Sequence, residues 1–308
     1  MNQSVSTPRD EQLELLNGLW YAARQGKPQL CLIKAEAGLG KSWLVRSMAA
    51  HLEGQRFGHA VAVVSGAPFL PGLLRATKPW LESERGSGFL AAARRVLPEE
   101  RWNLISEDAG EVSPALEIAK AVERAAARLG GACLILEDAH WYSPDDLEAL
   151  RLLYRRAVAA RTNLLIVLTT RPNANSPLAE LLETDASIAD GAPPTQLRLE
   201  ALDEAGIAAL ASTVLRSEDV PDGLPAWLLT RSEGHPLHAQ ELLRFLFLNG
   251  ALRDLGLTHA FVPPGAGVPE GLEEVLTARL EAARGEPDLW RAWLSSPWNA
   301  SSGSRGAE

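Results

Sequence analysis

Residues 29–42 read QLCLIKAEAGLGKS, and they carry the strongest structural signal in the chain. Gln29 to Lys34 is a short apolar run of the length of a buried strand, and a segment with helical periodicity runs from about Lys41 to Leu52. A glycine-containing turn, 35–40, lies between them. A strand, a tight turn and a helix in this order form the setting in which backbone N–H groups bind phosphate. The stretch therefore predicts a phosphate-binding loop.

The residue types within the loop fit that chemistry. Gly38 and Gly40 supply the backbone freedom that the turn needs. We expect Lys41 to reach the β- and γ-phosphates as a point charge and the Ser42 hydroxyl to ligate Mg²⁺. The stricter motif begins with glycine where this chain has Ala35, but its looser form accepts alanine. A chance match in an alanine- and glycine-rich chain is the alternative, and the strand-turn-helix context argues against it.

Further apolar runs alternate with helical patterns along the chain. The runs cover 59–64, 132–137, 163–169 and 196–199, and helical periodicity covers 10–25, 144–160, 203–215, 224–232 and 236–249. Strands that alternate with helices indicate a parallel sheet with both faces covered. The predicted fold class is therefore α/β, a doubly wound parallel sheet followed by a smaller helical part.

Composition narrows the class of protein. The chain has 308 residues, 46% of them hydrophobic, and a net charge of -9. It contains no run of about 18 apolar residues and no signal-like N-terminus, so we expect a cytoplasmic protein without membrane contact. The negative charge disfavours nucleic-acid binding. Cys31 and Cys133 lie in apolar runs and are expected to be reduced core thiols.

A second chemical signal is the acid pair Glu137-Asp138, which ends the apolar run LIL at 134–136. A carboxylate at the end of a buried strand needs a polar partner. In a nucleotide site Glu137 would ligate Mg²⁺ and Asp138 would orient the attacking water. Adjacent acids after a strand are often solvated loop residues, and the phosphate-binding loop upstream favours the functional interpretation.

Four stretches in order resemble one family: AEAGLGKS (35–42), LILEDAHWYSPDDLEAL (134–150), LIVLTTRP (165–172) and SEGHPLHAQELL (232–243). They are similar to the motifs of the signal-transduction ATPases with numerous domains, a branch of the AAA+-related P-loop NTPases. The likeness is greatest to the ATPase module of large LuxR-type ATP-binding transcription regulators, and it covers about 9–284. The resemblance implies a P-loop NTPase core of the additional-strand type with a small helical lid.

The resemblance also implies residue roles, with ATP and Mg²⁺ as cofactors. Glu137 and Asp138 correspond to the Walker B acids, Arg171 to the sensor arginine and Gly234-His235-Pro236 to the adenine-side Gly-x-Pro motif. The expected catalytic residues are Glu137, Asp138 and Arg171, and the expected metal ligands are Ser42 and Glu137. The expected nucleotide-binding residues are Ala35, Glu36, Ala37, Gly38, Leu39, Gly40, Lys41, Ser42, Trp43, Gly234 and Pro236.

The chain departs from the family pattern at two places. It has Thr7-Pro8-Arg9 where relatives carry Val-Gly-Arg. This departure argues against the family's adenine contacts at the N-terminus. Its acid pair is Glu-Asp, whereas relatives have Asp-Glu. The shorter side chain of Asp138 reaches less far toward water, so we expect slow hydrolysis. A slow ATPase suits a regulatory switch.

Several of these residues also have a structural explanation. Arg171 could merely cap a turn before Pro172, and Gly234 and Pro236 could end one helix and begin the next. Ser143 and Asp146 form a capping-box-like start to helix 144–160 and are interpreted as structural. His140 and Trp141 lie beside the acid pair, but a histidine without a second ligand is more often packed or hydrogen-bonded than catalytic. Both are left out of the predicted chemistry.

The expected layout has five parts: an N-terminal helix (1–28), the NTPase core (29–202), a helical lid (203–256), the start of a further helical or winged-helix unit (257–284) and a divergent tail (285–308). The tail lacks the helical pattern of relatives, which indicates a truncation or changed reading frame, or else a divergent end that folds back through Trp290 and Trp293.

The predicted function is an ATP-binding, slowly hydrolysing switch in a signalling or transcription-regulating protein. It implies a protein partner or downstream regulatory domains, and we also expect nucleotide-dependent self-association. Two alternatives stay open. A small-molecule kinase shares the loop but transfers phosphate to a metabolite, and a scaffold binds nucleotide for stability without turnover.

Overall fold

The computed structural model describes residues 8–54, 60–65, 130–172, 194–255 and 258–264. It also describes the single positions 119, 122, 123, 126, 127, 271, 273, 274 and 277. The expected tail 285–308 and most of the expected unit 257–284 lie outside the described residues. The predicted strand 59–64 is described from residue 60 onward.

Helices and strands alternate through the described part of the chain. The helices are α1 (Asp10–Ala23), α2 (Lys41–Glu53), α3 (Pro144–Ala160), α4 (Glu204–Leu215), α5 (Leu224–Ser232) and α6 (Pro236–Leu248). The strands are β1 (Gln29–Lys34), β2 (Ala60–Ser65), β3 (Ala132–Glu137), β4 (Leu164–Thr170), β5 (Thr195–Arg198), β6 (Leu252–Asp254) and β7 (His259–Phe261). A short 3₁₀ turn covers Ala139–Trp141. The apolar runs and the helical periodicity predicted these helices and strands to within one or two residues, except for β6 and β7, and the sequence did not predict the 3₁₀ turn.

The first five strands form one parallel sheet in the order β2-β3-β4-β1-β5. The strand β4 therefore lies between β1 and β3, although it follows both in the chain. The parallel sheet confirms the α/β fold that the sequence predicted, and the inserted strand agrees with the additional-strand type that the family resemblance implied. Neighbouring strands lie about 4.8 Å apart, so the ends of β1 and β3 are separated by about 10 Å.

Both faces of the sheet are buried. On one face, helix α3 packs through Leu147, Leu150, Leu153, Tyr154 and Ala157 against Leu30, Leu32, Leu134, Leu136, Ile166 and Leu168. Because side chains alternate along a strand, the intervening residues face the opposite side. These are also buried, and they include Cys31, Ile33, Cys133, Ile135, Leu165 and Val167. Burial on both faces explains why the strands read as continuous apolar runs.

Helix α3 begins with the predicted capping box. The Ser143 hydroxyl accepts a hydrogen bond from the Asp146 N–H at 3.2 Å, and the Ser143 N–H donates to Asp146 Oδ2 at 3.1 Å. Pro144 occupies the first turn, where its missing N–H costs nothing. The structural interpretation of Ser143 and Asp146 is confirmed.

The contacts divide the chain into two compact units. The first, which we call the core unit, comprises Glu11–Ala37 and Lys41–Leu199. The other, which we call the second unit, contains the described residues up to Asp10, the loop residues Gly38–Gly40 and the described residues from Glu200 onward.

Within the second unit, three helices and a hairpin enclose a separate apolar core. Its buried residues are Leu202, Ile207, Ala211, Leu215, Leu224, Leu228, Ala239, Leu242, Leu243, Leu246 and Leu252. Strands β6 and β7 pair antiparallel, with Leu252 opposite Phe261. The sequence did not predict this hairpin, because three-residue strands in glycine- and proline-rich sequence give little periodicity.

Candidate functional site

The site lies at one edge of the core unit's sheet. Lys34 pairs with Thr170 and Ser65 pairs with Glu137, so the carboxyl ends of the parallel strands reach this edge together. The Ala35 N–H donates to the Thr170 carbonyl at 3.2 Å and extends the pairing into the loop. In open α/β sheets ligands bind outside the carboxyl ends of the strands. The sheet thus brings the loop, the acid pair and Arg171 to one edge.

The loop after β1 uses its glycines as the sequence predicted. Gly38 has a φ of 79° and Gly40 a φ of 91°, a region that residues with a side chain rarely adopt. Around Gly40 there is open space, whereas a Cβ at Gly38 would overlap the His235 ring, which belongs to the same unit. Gly38 is therefore required for both its backbone conformation and its lack of a side chain.

Lys41 is the first residue of α2 and is only 9% exposed. Its ammonium group donates to the carbonyl oxygens of Ala35 at 2.6 Å and Glu36 at 2.8 Å. Burial lowers the pKa of Lys41, and the Arg171 charge lowers it further, while Asp138 and Glu36 raise it. The ammonium group is thus held against the loop backbone at the start of the helix, where a phosphate would also be attracted.

The other predicted loop residues are more accessible. Glu36, Ala37, Ser42 and Trp43 are exposed, and Leu39 is half-buried, whereas Ala35 is buried at the end of the strand. Ser42 is exposed, so its hydroxyl is accessible to a metal ion that is also bound by phosphate and water.

Glu137 ends β3 with a side chain that is only 3% exposed. Its Oε2 lies 3.7 Å from Arg46 Nη2, on helix α2. A buried carboxylate requires a compensating charge, and Arg46 supplies one here. The sequence analysis did not identify Arg46, because nothing in a helical pattern shows which residue of a distant strand an arginine meets.

Asp138 adopts a left-handed conformation with a φ of 56° and a ψ of 42°. Its N–H donates to Thr169 Oγ1 of the neighbouring strand at 3.0 Å. The carboxylate makes no cap bond to the following 3₁₀ turn, and the side chain is 47% exposed. Asp138 is therefore fixed through its backbone while its carboxylate stays accessible, as a water-orienting group requires.

Arg171 is exposed directly after β4. Its charge acts on both Lys41 and His140, lowering the pKa of each. The core unit thus brings both Asp138 and Arg171 within electrostatic reach of Lys41. The sensing role of Arg171 stays a prediction, as does the alternative of a turn cap before Pro172.

In the second unit, two groups hold the loop tip. The buried Arg9 guanidinium donates to the carbonyl oxygens of Leu39, at 3.2 Å, and Glu200. The Leu237 N–H donates to the Gly38 carbonyl at 3.3 Å. Burial lowers the pKa of Arg9, and the Asp203 charge opposes this shift. Arg9 was noted only as part of a divergent stretch, and its role as a loop-tip contact depends on long-range folding.

The structure alone explains why glycine stands at 234 and proline at 236. Gly234 has a φ of 75°, and a Cβ there would overlap the Leu202 carbonyl. Its own carbonyl accepts from the Leu202 N–H at 2.8 Å. Pro236 occupies the first turn of α6, and His235 caps that helix by accepting from the His238 N–H. The adenine contact at these residues stays a prediction.

The residues present fit a nucleotide with Mg²⁺. Among the described residues no group of three His, Cys, Asp or Glu side chains forms an all-protein metal site. Mg²⁺ in nucleotide sites is commonly held by one or two carboxylates with substrate phosphates and water. Glu137 offers Mg²⁺ one buried carboxylate and Ser42 offers it one exposed hydroxyl, while Lys41 at the start of α2 offers a positive charge to the phosphates.

A parallel sheet with an inserted strand, a glycine loop and a lysine at the start of the next helix defines a P-loop NTPase. The chain belongs to the AAA ATPase domain family, which matches residues 7–168. It is therefore an ATPase-type nucleotide-binding module. No curated protein matches the sequence.

This chain is similar to several solved structures. The Walker-type ATPase of Pyrococcus abyssi is 18% identical, with 92% of this chain and 75% of that chain covered and a TM-score of 0.51. The ORC2 protein of Aeropyrum pernix is 14% identical, with 79% and 62% covered and a TM-score of 0.50. The ORC1 protein of Aeropyrum pernix, solved in complex with DNA, is 18% identical, with 91% and 66% covered and a TM-score of 0.47.

At these identities, the two structures with TM-scores of 0.51 and 0.50 show a common fold and nothing more specific. The chain spans less than two thirds of the length of both Aeropyrum pernix proteins. None of the helices in the described ranges is long and apolar enough to cross a membrane.

Proposed function

We propose that this chain is an ATP-binding, slowly hydrolysing switch module of the signal-transduction ATPase type. The observation that carries the proposal is the position of Lys41. Its ammonium group is held by two loop carbonyls at the sheet edge that also contains the buried carboxylate of Glu137. A cation and a metal-ligating carboxylate at one sheet edge suit a Mg-triphosphate.

The proposal assigns a separate role to each group of the site. Loop N–H groups and Lys41 bind the phosphates, Ser42 and Glu137 ligate Mg²⁺, and Arg171 contacts the γ-phosphate. Bound Mg²⁺ would neutralise phosphate charge. Asp138 accepts a hydrogen bond from the water that attacks the γ-phosphorus as the bond to ADP breaks. The short reach of an aspartate makes that step slow.

The switch function is supported by what holds the loop tip. Arg9 and Leu237 hydrogen-bond the carbonyls of Leu39 and Gly38. A phosphate bound by the loop would order Gly38 and Leu39, whose carbonyl oxygens accept these hydrogen bonds. Nucleotide binding would therefore bias the packing of Arg9 and Leu237 against the loop. We propose that the helices within 203–256 are the family's lid and that a protein partner or downstream domains receive the change. We also propose nucleotide-dependent self-association and no direct nucleic-acid binding.

The test is calorimetric titration of ATP, ADP and GTP with Mg²⁺, followed by turnover at saturation. Lys41→Ala should abolish ATP binding. Lys34→Ala removes a lysine that bonds Gln196 at 3.2 Å on the same sheet, and it should bind ATP normally. Glu137→Gln should bind ATP but hydrolyse it far more slowly than the unmodified chain. Equal ATP affinity in Lys41→Ala and the unmodified chain would refute the assignment.

Two other outcomes would redirect the proposal. Tight binding with no turnover would make the chain a nucleotide-stabilised scaffold, which raises the melting temperature by mass action alone. Phosphate transfer to a metabolite faster than to water would make it a small-molecule kinase. Binding of a fluorescent DNA duplex at physiological salt would overturn the predicted absence of nucleic-acid binding.

A further inference from the structure

His140 is a buried imidazole in the 3₁₀ turn after Asp138. Its side chain is 8% exposed, and its ring lies 5.1 Å from the Trp141 ring between centroids. Within the part of the chain that the structure describes, neither ring nitrogen has a hydrogen-bond partner. A buried polar group without a partner costs free energy and requires an explanation.

The Asp138 carboxylate lies close to the ring. His140 Nδ1 lies 4.0 Å from Asp138 Oδ1, slightly too far for a hydrogen bond. The Asp138 backbone is fixed by Thr169, but its carboxylate is half exposed and can rotate. Hydrogen bonds within catalytic sites are often long before substrate binds and shorten afterwards.

The charges around the ring favour the neutral imidazole. Burial lowers the pKa of His140, and the charges of Arg171 and Lys41 lower it further, while Asp138 raises it. A neutral imidazole carries one N–H, which can be on either nitrogen. The carboxylate beside Nδ1 would place the proton there, because a carboxylate accepts hydrogen bonds and does not donate them.

We propose that His140 is a positioning residue, which donates a hydrogen bond from Nδ1–H to Asp138 and holds that carboxylate toward the attacking water. This inference rests on the proposed function, since it assigns how Asp138 is oriented during hydrolysis. It explains why an imidazole is buried beside the acid pair without any other partner in the described residues. The hydrogen bond would also limit the rotation of the half-exposed Asp138 carboxylate.

The kinetic test compares two variants of His140. His140→Leu introduces an apolar side chain of similar size, and His140→Asn places an amide N–H near the Nδ1 position. In the first variant kcat should fall roughly tenfold to a hundredfold, the range seen when a second-sphere partner is removed, with ATP affinity unchanged. In the second, kcat should recover most of this loss. Equal activity of the unmodified chain and His140→Leu would overturn the inference.

A double variant separates positioning from packing. If His140 acts through Asp138, adding His140→Leu to Asp138→Asn should change kcat by less than about twofold, because the group that it orients is already altered. Additive losses would overturn the inference. Trp141→Ala, which removes the exposed ring beside His140, is the packing control and should leave kcat unchanged.

A readout independent of activity is the tautomer of His140. Long-range ¹H–¹⁵N spectra, with His140→Asn to assign the signals, should show the proton on Nδ1. A proton on Nε2 would contradict the inference. Absence of ATP turnover in the unmodified chain would overturn the proposed function and this inference together. Turnover with a wrong tautomer or an unchanged His140→Leu variant would overturn this inference alone.

Discussion

Two charged side chains of the site, Lys41 and Glu137, are buried, and a buried charge is costly unless polar groups compensate it. Carbonyl oxygens surround the Lys41 ammonium, and Arg46 lies beside the Glu137 carboxylate. These neighbours are groups that a phosphate and a magnesium ion would replace. At the scale of single residues, each of the two buried charges therefore already has a compensating neighbour, which ligand binding would have to displace.

This arrangement predicts the effect of Arg46→Gln. On the proposed function, Arg46 competes with Mg²⁺ for Glu137, so its removal should lower the Mg²⁺ concentration needed for half-maximal ATP binding. Arg46 is 59% exposed, so solvent screens its charge. A screened pair contributes at most about 1 kcal/mol, and the shift should not exceed about fivefold. The measurement is a Mg²⁺ titration at fixed ATP by calorimetry.

The matched control is Arg155→Gln, which removes an exposed arginine from α3. Its Mg²⁺ dependence should equal that of the unmodified chain. A higher Mg²⁺ requirement in Arg46→Gln would contradict competition, and weaker ATP binding in EDTA would assign Arg46 to the phosphates.

At the scale of elements, local signals located most helices and strands. Helix α3 begins and ends where its capping box and apolar period predict, and α5 matches its predicted range. Caps and periodicity depend on residues three or four apart, which are neighbours in any helix. The sequence did not predict the hairpin β6–β7, because its pairing depends on contacts with the helical core and not on a pattern of apolar residues within the two strands.

The capping box of α3 gives a stability prediction. Ser143→Ala removes the hydroxyl that accepts from the Asp146 N–H, so the free energy of unfolding should fall by about 1 kcal/mol. Thr213→Ala is the control, because Thr213 is exposed within α4 and bonds only a carbonyl of its own helix in the described contacts. That variant should change stability by less than about 0.5 kcal/mol. Urea denaturation measures both, and equal stabilities would contradict the capping role.

At the scale of the whole molecule, sheet formation buries both cysteines. Cys31 pairs with Val167 and Cys133 pairs with Leu165, on strands β1 and β3 on either side of β4. Both thiols are free and inaccessible. This confirms the prediction of reduced core thiols, and it makes their reactivity a measure of global unfolding.

The thiols should be inert in the folded chain. Burial raises the pKa of Cys31 and of Cys133 to about 12. Because the thiolate is the reactive form, raising the pH from about 8 to about 10 should not make them react, whereas an exposed thiol would become faster. A disulfide reagent should modify both cysteines only after denaturation. Thr213→Cys is the positive control, and reaction of the unmodified folded chain at its rate would contradict the burial.

The phosphate-binding loop, the ends of most helices and the strands could be predicted from the amino-acid sequence, because each depends on neighbouring residues in the chain. The insertion of β4 between β1 and β3 agrees with the family resemblance, but the periodicity of apolar residues does not predict it. The approach of Arg46 to Glu137, of Arg9 to Leu39 and of Thr169 to Asp138 could be found only in the folded molecule. These contacts join residues between 30 and 91 positions apart. The contacts of Arg46 with Glu137 and of Thr169 with Asp138 depend on strand order and register, which emerge only when the whole sheet assembles. The contact of Arg9 with Leu39 depends on the packing of the second unit.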